Sequence, residues 1–315
     1  MGLILISDTC SSEAIAFLQK SGHTVSYQPE ITPEQLLIEI PQYEAFVVRS
    51  RTIVTKEVIE KASKLRVIAR AGSGVDTIDV ASAKEKNIIV VNAPGANSEA
   101  VAEHTIALLL ALMRDLITFD AALHKGRWEK KTYKGVELLG KTLGVIGFGA
   151  IGKRVAELAR AFGMKIIVHN RTTTGEKKNQ LDRLEGQFVS LEELLKTADV
   201  VTIHIAKKDE TVDLIGEKEL GFMKSTAFLI NAARGGIVNE TALIDALKQK
   251  QIKGAALDVF ATEPLPADNG FRELENVILT PHIASISPEA NARASMMVVE
   301  DVDRVLSGKQ AKHAI

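Results

Sequence analysis

Cysteine is almost absent from this sequence, which contains a single one, Cys10, among 315 residues. One cysteine cannot form an intramolecular disulfide, and it also excludes the paired-cysteine motifs that bind metals or carry out thiol redox chemistry. The N-terminus has a short apolar run without a basic flank, so we expect no secretory signal peptide. These features predict a cytoplasmic protein without a metal site.

Aromatic residues, net charge and long apolar runs are also scarce. Aromatics make up 4% of the chain, and 39 basic against 40 acidic residues leave a formal net charge of -1. Nucleic-acid-binding proteins need basic surfaces or aromatic stacking platforms, so this composition disfavours such a role. The longest apolar stretch, Ile106–Met113, is much shorter than the roughly 20 residues that cross a bilayer. We therefore expect neither a nucleic-acid partner nor a membrane partner.

Short β-branched runs alternate with helical patterns along the whole chain, which is typical of βαβ units and a parallel sheet. The runs are almost wholly apolar, as expected when helices cover both faces of a sheet. At roughly 150 residues per domain, the length suggests two domains. The first series of predicted strands comprises Leu3–Ile6, Ala45–Val48, Arg66–Ala69 and Ile88–Val91. The second series comprises Thr142–Ile146, Lys165–Val168, Val200–Ile203, Ala227–Ile230, Gly254–Leu257 and Val277–Leu279.

Helix-start signals separate these strands. Thr32-Pro33-Glu34-Gln35 and Ser190-Leu191-Glu192-Glu193 are capping boxes, and Asn239 is placed to cap a third helix. Ser287-Pro288 combines a capping residue with proline at the first helical position. Between the two series we predict one long helix from about Glu99 to His124.

A glycine-rich turn at 147–152 has the pattern G-x-G-x-x-G, with glycine at 147, 149 and 152. It lies between the predicted strand Thr142–Ile146 and an amphipathic helix that we predict over 151–162. This context is typical of dinucleotide binding, because the glycines allow a tight turn and close approach to a pyrophosphate at the helix N-terminus. The alternative is a glycine-rich turn without a ligand.

The next strand predicts which dinucleotide is used. An acidic residue about 20 positions after the turn normally binds the ribose 2′-hydroxyl of NAD. Here that position carries Asn170, followed by Arg171. A guanidinium can hold a 2′-phosphate that a carboxylate would repel, so NADP use is suggested beside NAD. An ordinary exposed loop arginine is the alternative.

Three residues after predicted strands fit hydride transfer to or from a carbinol. His282 can take the hydroxyl proton, Glu263 can orient and stabilise its imidazolium, and Arg234 can hold a substrate carboxylate. Ligands of open α/β sheets bind beyond the carboxyl ends of strands, where these residues fall. Each also has a structural interpretation: a buried histidine, a turn-capping glutamate and a surface arginine.

Four segments, in this order, carry a family resemblance: GKTLGVIGFGAIGKRVA, NAARGGIVNE, ALDVFATEPLP and TPHIAS. They resemble the D-2-hydroxyacid dehydrogenases, and the likeness runs from about Leu3 to Leu306. The resemblance implies an α/β fold of two Rossmann-like domains with doubly wound parallel sheets. A cofactor domain at 99–286 would be inserted into a substrate domain formed by 1–98 and 287–315. It also implies a cleft, hinge closure, and a homodimer built through the helix after residue 99.

The resemblance further implies roles at matching positions. Arg234 would bind the substrate carboxylate and carbonyl, His282 would be the acid/base, and Glu263 its carboxylate partner. Asp258 would lie by the nicotinamide end of the cofactor. The other expected cofactor contacts are Gly147, Gly149, Ala150, Ile151, Gly152, Asn170, Arg171, His204, Ala206, Thr211, Ala232, Ala233, Ala284 and Ser285.

Within the family, VVRSRTIVTKEVIEKASKLRVIARAGSGVDTIDV and IIVVNAPGANSEAVAEHTIALLLALMR look most like the phosphoglycerate dehydrogenase branch. By that likeness, substrate contacts would come from Arg49, Ser50, Arg51, Gly72, Ser73, Gly74 and Asn97. Arg49 and Arg51 would approach the substrate phosphate, and two arginines flanking a hydroxyl also make physical sense as an anion site. Ordinary solvated charge is the alternative.

Three features depart from that branch. Asn170-Arg171 replaces its usual aspartate and looks more like the glyoxylate/hydroxypyruvate reductases. Ala206 stands where the family commonly has proline. Because the chain ends at Ile315, we expect no C-terminal regulatory domain and no feedback by serine through one.

Three functions are thus weighed. The first is NAD(P)-dependent oxidation or reduction of a small D-2-hydroxy or 2-oxo acid, with D-3-phosphoglycerate/3-phosphohydroxypyruvate as the favoured pair. The second is an NADPH-dependent glyoxylate/hydroxypyruvate reductase. The third is a non-catalytic NAD(H)-sensing protein, which is disfavoured because a sensor needs no proton shuttle.

Overall fold

The computed structural model describes all residues, 1–315. The chain divides into two compact units, the first formed by Met1–Asn97 and Ile286–Ile315 and the second by Ser98–Ser285. Each unit is an α/β structure with a parallel sheet. The predicted fold class is therefore confirmed. None of the helices combines the length and apolar character that crossing a bilayer requires.

The first unit alternates strands and helices and closes with the last helix of the chain. Its first elements are β1 (Leu3–Ile6), α1 (Ser12–Lys20), β2 (Thr24–Tyr27), α2 (Pro33–Glu39), β3 (Ala45–Val48), α3 (Lys56–Lys61), β4 (Val67–Arg70), α4 (Val80–Glu85) and β5 (Ile89–Asn92). The strand order is β2-β1-β3-β4-β5, and all pairs are parallel. The order reverses between β1 and β3, and such switch points are where open sheets of this kind bind ligands.

The second unit begins with α5 (Ser98–Met113) and α6 (Leu116–His124). Its next elements are β6 (Thr142–Ile146), α7 (Ala150–Ala161), β7 (Lys165–His169), α8 (Gly175–Asp182), β8 (Gln187–Phe188), α9 (Leu191–Thr197), β9 (Val200–Ile203), α10 (Glu217–Phe222), β10 (Phe228–Asn231), α11 (Glu240–Lys248), β11 (Gly254–Leu257) and β12 (Val277–Leu279). The strand order is β12-β11-β10-β9-β6-β7-β8. This is the Rossmann order with a seventh strand, and its switch point lies between β6 and β9.

The remaining helix, α12 (Pro288–Leu306), belongs to the first unit and packs against α1 and β4. Its face toward the sheet is apolar, with Val298, Val299 and Val302 fully buried. Each such side chain contributes roughly 1.5–3 kcal/mol by leaving water. The central strands of both sheets are buried on both faces, which is why their sequences are almost wholly apolar.

The four predicted helix N-caps are confirmed, but of the two predicted capping boxes only the one at Thr32 is complete, since Ser190 caps its helix without a return contact from Glu193. Thr32 makes the full capping box with Gln35. The side chains of Asn239 and Ser287 accept hydrogen bonds from the backbone amides of Ala242 and Ala290, respectively. Ser190 accepts the amide of Glu193. These caps fix where the helices begin relative to the strands before them.

The single long helix over 99–124 is wrong. Asp115 adopts a left-handed backbone with φ of 51° and separates α5 from α6. Aspartate tolerates this conformation better than most residues, so the helical pattern is interrupted without a glycine or proline to signal it. The two edge strands β2 and β8 were also not predicted. Both are short and partly exposed, and they therefore lack the apolar signature of the central strands.

Candidate active site

The glycine-rich turn joins β6 to α7 at the switch point of the second sheet. A Cβ at residue 152 would lie 2.0 Å from the carbonyl oxygen of Gly147, so only glycine allows the helix to start this close to the strand. Gly149 is the N-cap of α7, and no side chain caps the helix. The first amides of α7, at Ala150 and Ile151, thus lack a side-chain acceptor. This arrangement fits a pyrophosphate, because a helix N-terminus attracts negative charge.

The residues after β7 lie beside this turn. Asn170 Oδ1 accepts the amide of Phe148 at 2.9 Å, so the asparagine helps to shape the glycine-rich turn. Arg171 forms an ion pair with Glu210, a residue that sequence reasoning missed. Both side chains are largely exposed, at 73% and 55%. The guanidinium of Arg171 therefore lies next to the glycine-rich turn, but the carboxylate of Glu210, from the loop after β9, balances its charge.

His204 follows β9 and is a neutral histidine. Its Nε2 lies 2.9 Å from Thr202 Oγ1, and its Nδ1 is buried without a hydrogen-bond partner. Burial lowers the pKa of His204 to about 3, which keeps the ring uncharged at neutral pH. Further along the same loop, Thr211 Oγ1 donates to the carbonyl of Ala206 at 3.0 Å and shapes the segment where proline is usual.

Arg234 lies on the turn after β10. The buried side chain of Asn231 organises this turn, since it donates to the carbonyl of Arg234 at 3.0 Å and accepts the amide of Ala233 at 3.1 Å. The next residue, Gly235, lies against the loop after β11: a Cβ there would be 1.7 Å from the carbonyl oxygen of Phe260. The loops that carry Arg234 and Glu263 are therefore in backbone contact. The adjacent Ala232 and Ala233 are buried.

His282 and Glu263 form a direct pair. His282 Nδ1 lies 2.7 Å from Glu263 Oε2, and Glu263 Oε1 accepts the amide of Phe260 at 2.9 Å. The histidine side chain is 43% exposed and that of the glutamate 35%. The carboxylate is held by its own loop, and it can fix the imidazole tautomer with hydrogen on Nδ1, leaving Nε2 for proton exchange.

Asp258 ends the strand β11 with a fully buried carboxylate. Oδ1 accepts the hydroxyl of Thr280 at 2.6 Å and the amide of Ile283 at 2.9 Å, while Oδ2 accepts the amide of Ala284 at 2.8 Å. Burial opposes ionisation, but these hydrogen bonds and one from His104 outweigh it and lower the pKa of Asp258. Asp258 thus organises the segment from Thr280 to Ala284, which carries His282.

The first unit holds a second cluster at its own switch point. The carboxylate of Asp8, after β1, accepts the amide of Arg49 at 2.6 Å, and Arg49 Nη1 donates to Asn291 at 2.9 Å. Burial lowers the pKa of Arg49 because it disfavours the charged guanidinium. An anionic ligand nearby would offset this cost of burying the charge. Arg70, at the end of β4, donates from Nε to the carbonyl of Arg49 at 3.1 Å. Sequence reasoning missed Arg70 because its partner Arg49 is 21 residues away in the chain.

Arg51, the other arginine predicted to approach the substrate phosphate, is bound by groups of the protein itself. Its Nε lies 3.3 Å from Asp8 Oδ1, Nη1 donates to the carbonyl of Ile31 at 3.1 Å, and Nη2 donates to the carbonyl of Ser7 at 2.5 Å. All three guanidinium nitrogens are thus engaged by protein acceptors. These contacts favour a structural role, in which Arg51 joins β1, β3 and the start of α2. The neighbouring Ser50 is exposed.

The loop at 72–74, which is predicted to contact the substrate, forms hydrogen bonds with two asparagines. Ser73 Oγ lies 2.8 Å from Asn97 Oδ1, and Asn92 donates to the carbonyl of Ser73 at 2.6 Å. Ser73 and Asn97, both predicted substrate contacts, are therefore brought together. The flanking Gly72 lies under the Arg70 guanidinium, since a Cβ at 72 would be 2.1 Å from Arg70 Nη1. Gly74 is partly buried in the same loop.

Comparison with known proteins decides the family. The profile described as "D-isomer specific 2-hydroxyacid dehydrogenase, NAD binding domain" matches residues 106–284. The chain belongs to the D-isomer-specific 2-hydroxyacid dehydrogenase family. The resemblance stated from the four sequence motifs is confirmed, as is the prediction of a dinucleotide-binding domain. The matched profile is that of an NAD-binding domain, which agrees with the prediction of NAD or NADP as cofactor.

Relatives are similar over nearly the whole chain. It is 45% identical to a D-3-phosphoglycerate dehydrogenase of Methanocaldococcus jannaschii over 313 residues, which cover 99% of this chain and 59% of that protein. It is 40% identical to a hydroxypyruvate reductase of Thermotoga maritima over 304 residues, 96% of this chain and 97% of that protein.

A solved structure of an acyclic imino acid reductase, Bsp5, in complex with NADPH and D-Arg has a TM-score of 0.86 at 33% identity and covers 99% of both chains. The chain spans 59% of the length of the archaeal phosphoglycerate dehydrogenases it matches.

The neutral state of His204 predicts a pH dependence of stability. Its folded pKa, about 3, lies below the ordinary value of 6.5, so the unfolded chain binds more protons between these values. The contribution is fully present above pH 6.5 and declines as pH falls toward 3. Between pH 6.5 and 4.5 the wild type should therefore lose about 2–3 kcal/mol more unfolding free energy than His204→Gln.

Urea denaturation at a series of pH values measures this difference. His124→Gln, at an exposed position, is the matched control and should follow the wild-type curve. Parallel curves for the wild type and His204→Gln would contradict the burial argument.

Proposed function

We propose that this chain is an NAD(P)-dependent dehydrogenase of a small D-2-hydroxy acid, with D-3-phosphoglycerate/3-phosphohydroxypyruvate as its substrate pair. The single observation that supports it most is the His282–Glu263 pair, 2.7 Å apart, on the NAD-binding unit of a dehydrogenase family. We assign cofactor binding to 99–286 and substrate binding to 1–98 with 287–315.

The residues of this chain then have defined tasks. When bound, NAD(P) accepts or supplies the hydride. His282 takes the hydroxyl proton at Nε2 during oxidation and returns it during reduction, which is general acid–base catalysis. Glu263 stabilises the imidazolium and keeps hydrogen on Nδ1. Arg234 holds the substrate carboxylate and polarises the carbonyl, while neutral His204 does not compete for the proton.

A substrate phosphate is assigned to Arg49 and Arg70. The two residues end neighbouring strands, and the Nε of Arg70 lies 3.1 Å from the carbonyl of Arg49. Half-burial of Arg49 favours an anion as its partner, and guanidinium groups bind phosphate in a bidentate manner. Arg51 supports this site through Asp8. The D-3-phosphoglycerate dehydrogenases among the relatives agree with such a substrate.

An NADPH-dependent glyoxylate or hydroxypyruvate reductase is the second candidate. It is favoured by Asn170-Arg171 in place of an acidic residue, and by the hydroxypyruvate reductase whose length this chain covers to 97%. The two candidates differ in whether a phosphate is needed and in which cofactor is used.

We also propose a cytoplasmic homodimer formed through the segment after residue 99. The buried free thiol of Cys10 agrees with a reducing compartment. Large apolar side chains around α6 are exposed, including Leu116 at 54%, Ile117 at 59% and Trp128 at 79%. Several large apolar side chains exposed within one short segment are typical of an interface.

Replacing the acid/base tests whether the chain is an enzyme. His282→Ala should lower kcat by about a hundredfold or more, because a positioned general acid/base contributes that much. Binding of NADH, followed by its fluorescence, should change little. Glu263→Gln should give an intermediate loss. Equal turnover by the wild type and His282→Ala would exclude the proton shuttle and favour a cofactor sensor.

The phosphate site is tested by comparing two arginines and two substrates. Arg70→Ala should lower kcat/KM for 3-phosphohydroxypyruvate roughly ten- to a hundredfold, because a charge-assisted hydrogen bond to the phosphate is lost. The same substitution should change kcat/KM for hydroxypyruvate far less. Arg51→Ala should act mainly through reduced stability, and exposed Lys64→Ala is the control. An equal effect of Arg70→Ala on both substrates would rule out the assignment.

The Arg171–Glu210 pair predicts how cofactor choice can be changed. Glu210→Gln should raise kcat/KM for NADPH a few-fold relative to NADH, since an exposed ion pair holds the guanidinium only weakly. Arg171→Ala should lower kcat/KM for NADPH alone, and Asp209→Asn is the neighbouring control. A strong NADH preference that neither substitution changes would end the NADP assignment.

The dimer surface is tested by charge insertion. Ile117→Glu should convert a dimer to monomers in sedimentation velocity, because the buried interface cannot accommodate an unpaired carboxylate. Ile38→Glu provides the control, since Ile38 is an apolar side chain on α2 that is 78% exposed. A wild-type chain that sediments as a monomer would refute the proposed assembly.

A further inference from the structure

The helix α5 places a histidine, His104, against the buried carboxylate of Asp258. His104 Nε2 lies 3.5 Å from Asp258 Oδ1 and 3.3 Å from Thr280 Oγ1. Its side chain is 20% exposed, whereas that of Asp258 is not exposed at all. His104 belongs to neither the predicted catalytic residues nor the predicted binding residues, and the acid–base mechanism above does not use it.

The hydrogen-bond geometry fixes the direction of these contacts. Thr280 Oγ1 lies 2.6 Å from Asp258 Oδ1, so its one hydroxyl hydrogen points to the carboxylate. His104 Nε2 therefore faces two acceptors, a hydroxyl lone pair and a carboxylate oxygen, and must carry a hydrogen itself. His104 is thus a donor that completes the shell of donors around Asp258.

The same carboxylate holds an unusual backbone conformation. His282 has φ of 53°, in the left-handed region that a side chain with a Cβ disfavours. Asp258 binds the Thr280 hydroxyl before this residue and the amides of Ile283 and Ala284 after it. The left-handed turn is therefore held on both sides, and it directs the imidazole to Glu263.

We propose that His104 is a positioning residue for His282: by donating to Asp258 and Thr280 it holds the turn that presents the imidazole. The inference rests on the proposed function, because only an acid/base at 282 needs such orientation. His104 acts through the turn and does not exchange the substrate proton. Its loss lowers the rate of the chemical step without weakening cofactor binding.

Two substitutions separate the donor from mere packing. His104→Phe keeps a planar ring but removes the hydrogen, whereas His104→Gln can place an amide hydrogen near the position of Nε2. His104→Phe should lower kcat about tenfold, the effect of one lost hydrogen bond to a charged group, with KM for NADH within about twofold of wild type. His104→Gln should recover most of kcat. Glu103→Gln, exposed on the same helix, is the control.

Hydrogen exchange gives a readout that does not depend on turnover. In His104→Phe, but not in His104→Gln, the amides of Ile283 and Ala284 should exchange faster than in the wild type. Loss of kcat without faster exchange, faster exchange without loss of kcat, or equal losses in both variants would each overturn the proposal. A wild type inactive on every 2-oxo acid would refute the proposed function. The hydrogen-exchange comparison would still test whether His104 holds the turn at His282.

Discussion

The carboxylate of Asp258 is the group on which the geometry of the proposed acid/base pair, His282 and Glu263, depends. It is fully buried, and it accepts hydrogen bonds from a threonine hydroxyl, two backbone amides and a histidine. A buried charge is costly unless hydrogen-bond donors surround it. The loop after β12 and the helix α5, which supply these donors, are therefore fixed relative to Asp258. The orientation of His282 toward Glu263 follows from that arrangement.

Parallel strand topology explains why the functional residues collect where they do. In each sheet the carboxyl ends of the strands lie at one edge, and the order reverses there. In the second unit this edge carries the glycine-rich turn and the residues that follow β7, β9, β10, β11 and β12. In the first unit it carries Asp8, Arg49 and Arg70. Each unit therefore has its own switch point, and we propose that the second unit binds a dinucleotide there and the first unit an anion.

Local signals in the sequence were enough for the central strands, the caps of four helices and the glycine-rich turn. Central strands are apolar on both faces and caps need one short side chain, so both are visible within a few residues. The edge strands β2 and β8 and the break at Asp115 were missed because neither exposed strands nor a left-handed aspartate has a strong local signature. Arg70, His104 and Glu210 were missed for a different reason. Their partners are distant in sequence, so only the folded chain reveals the contacts.

The family of the chain leaves a choice between related reactions. In the proposed function, the imidazole of His282, the carboxylate of Glu263 and the guanidinium of Arg234 serve reversible hydride transfer at the carbon next to a carboxylate. The arginines of the first unit add a reason for a phosphorylated substrate, and Asn170-Arg171 adds a reason for NADPH. These two features lie in different units, so the proposed substrate and cofactor preferences can be tested by separate substitutions.

The most direct measurement is a turnover assay of the wild-type chain that follows absorbance at 340 nm. NADH and NADPH are each tested against 3-phosphohydroxypyruvate, hydroxypyruvate, glyoxylate and pyruvate. The account predicts cofactor oxidation, highest kcat/KM for 3-phosphohydroxypyruvate, and a product of D configuration. Tight cofactor binding without oxidation by any of the four acids would contradict it.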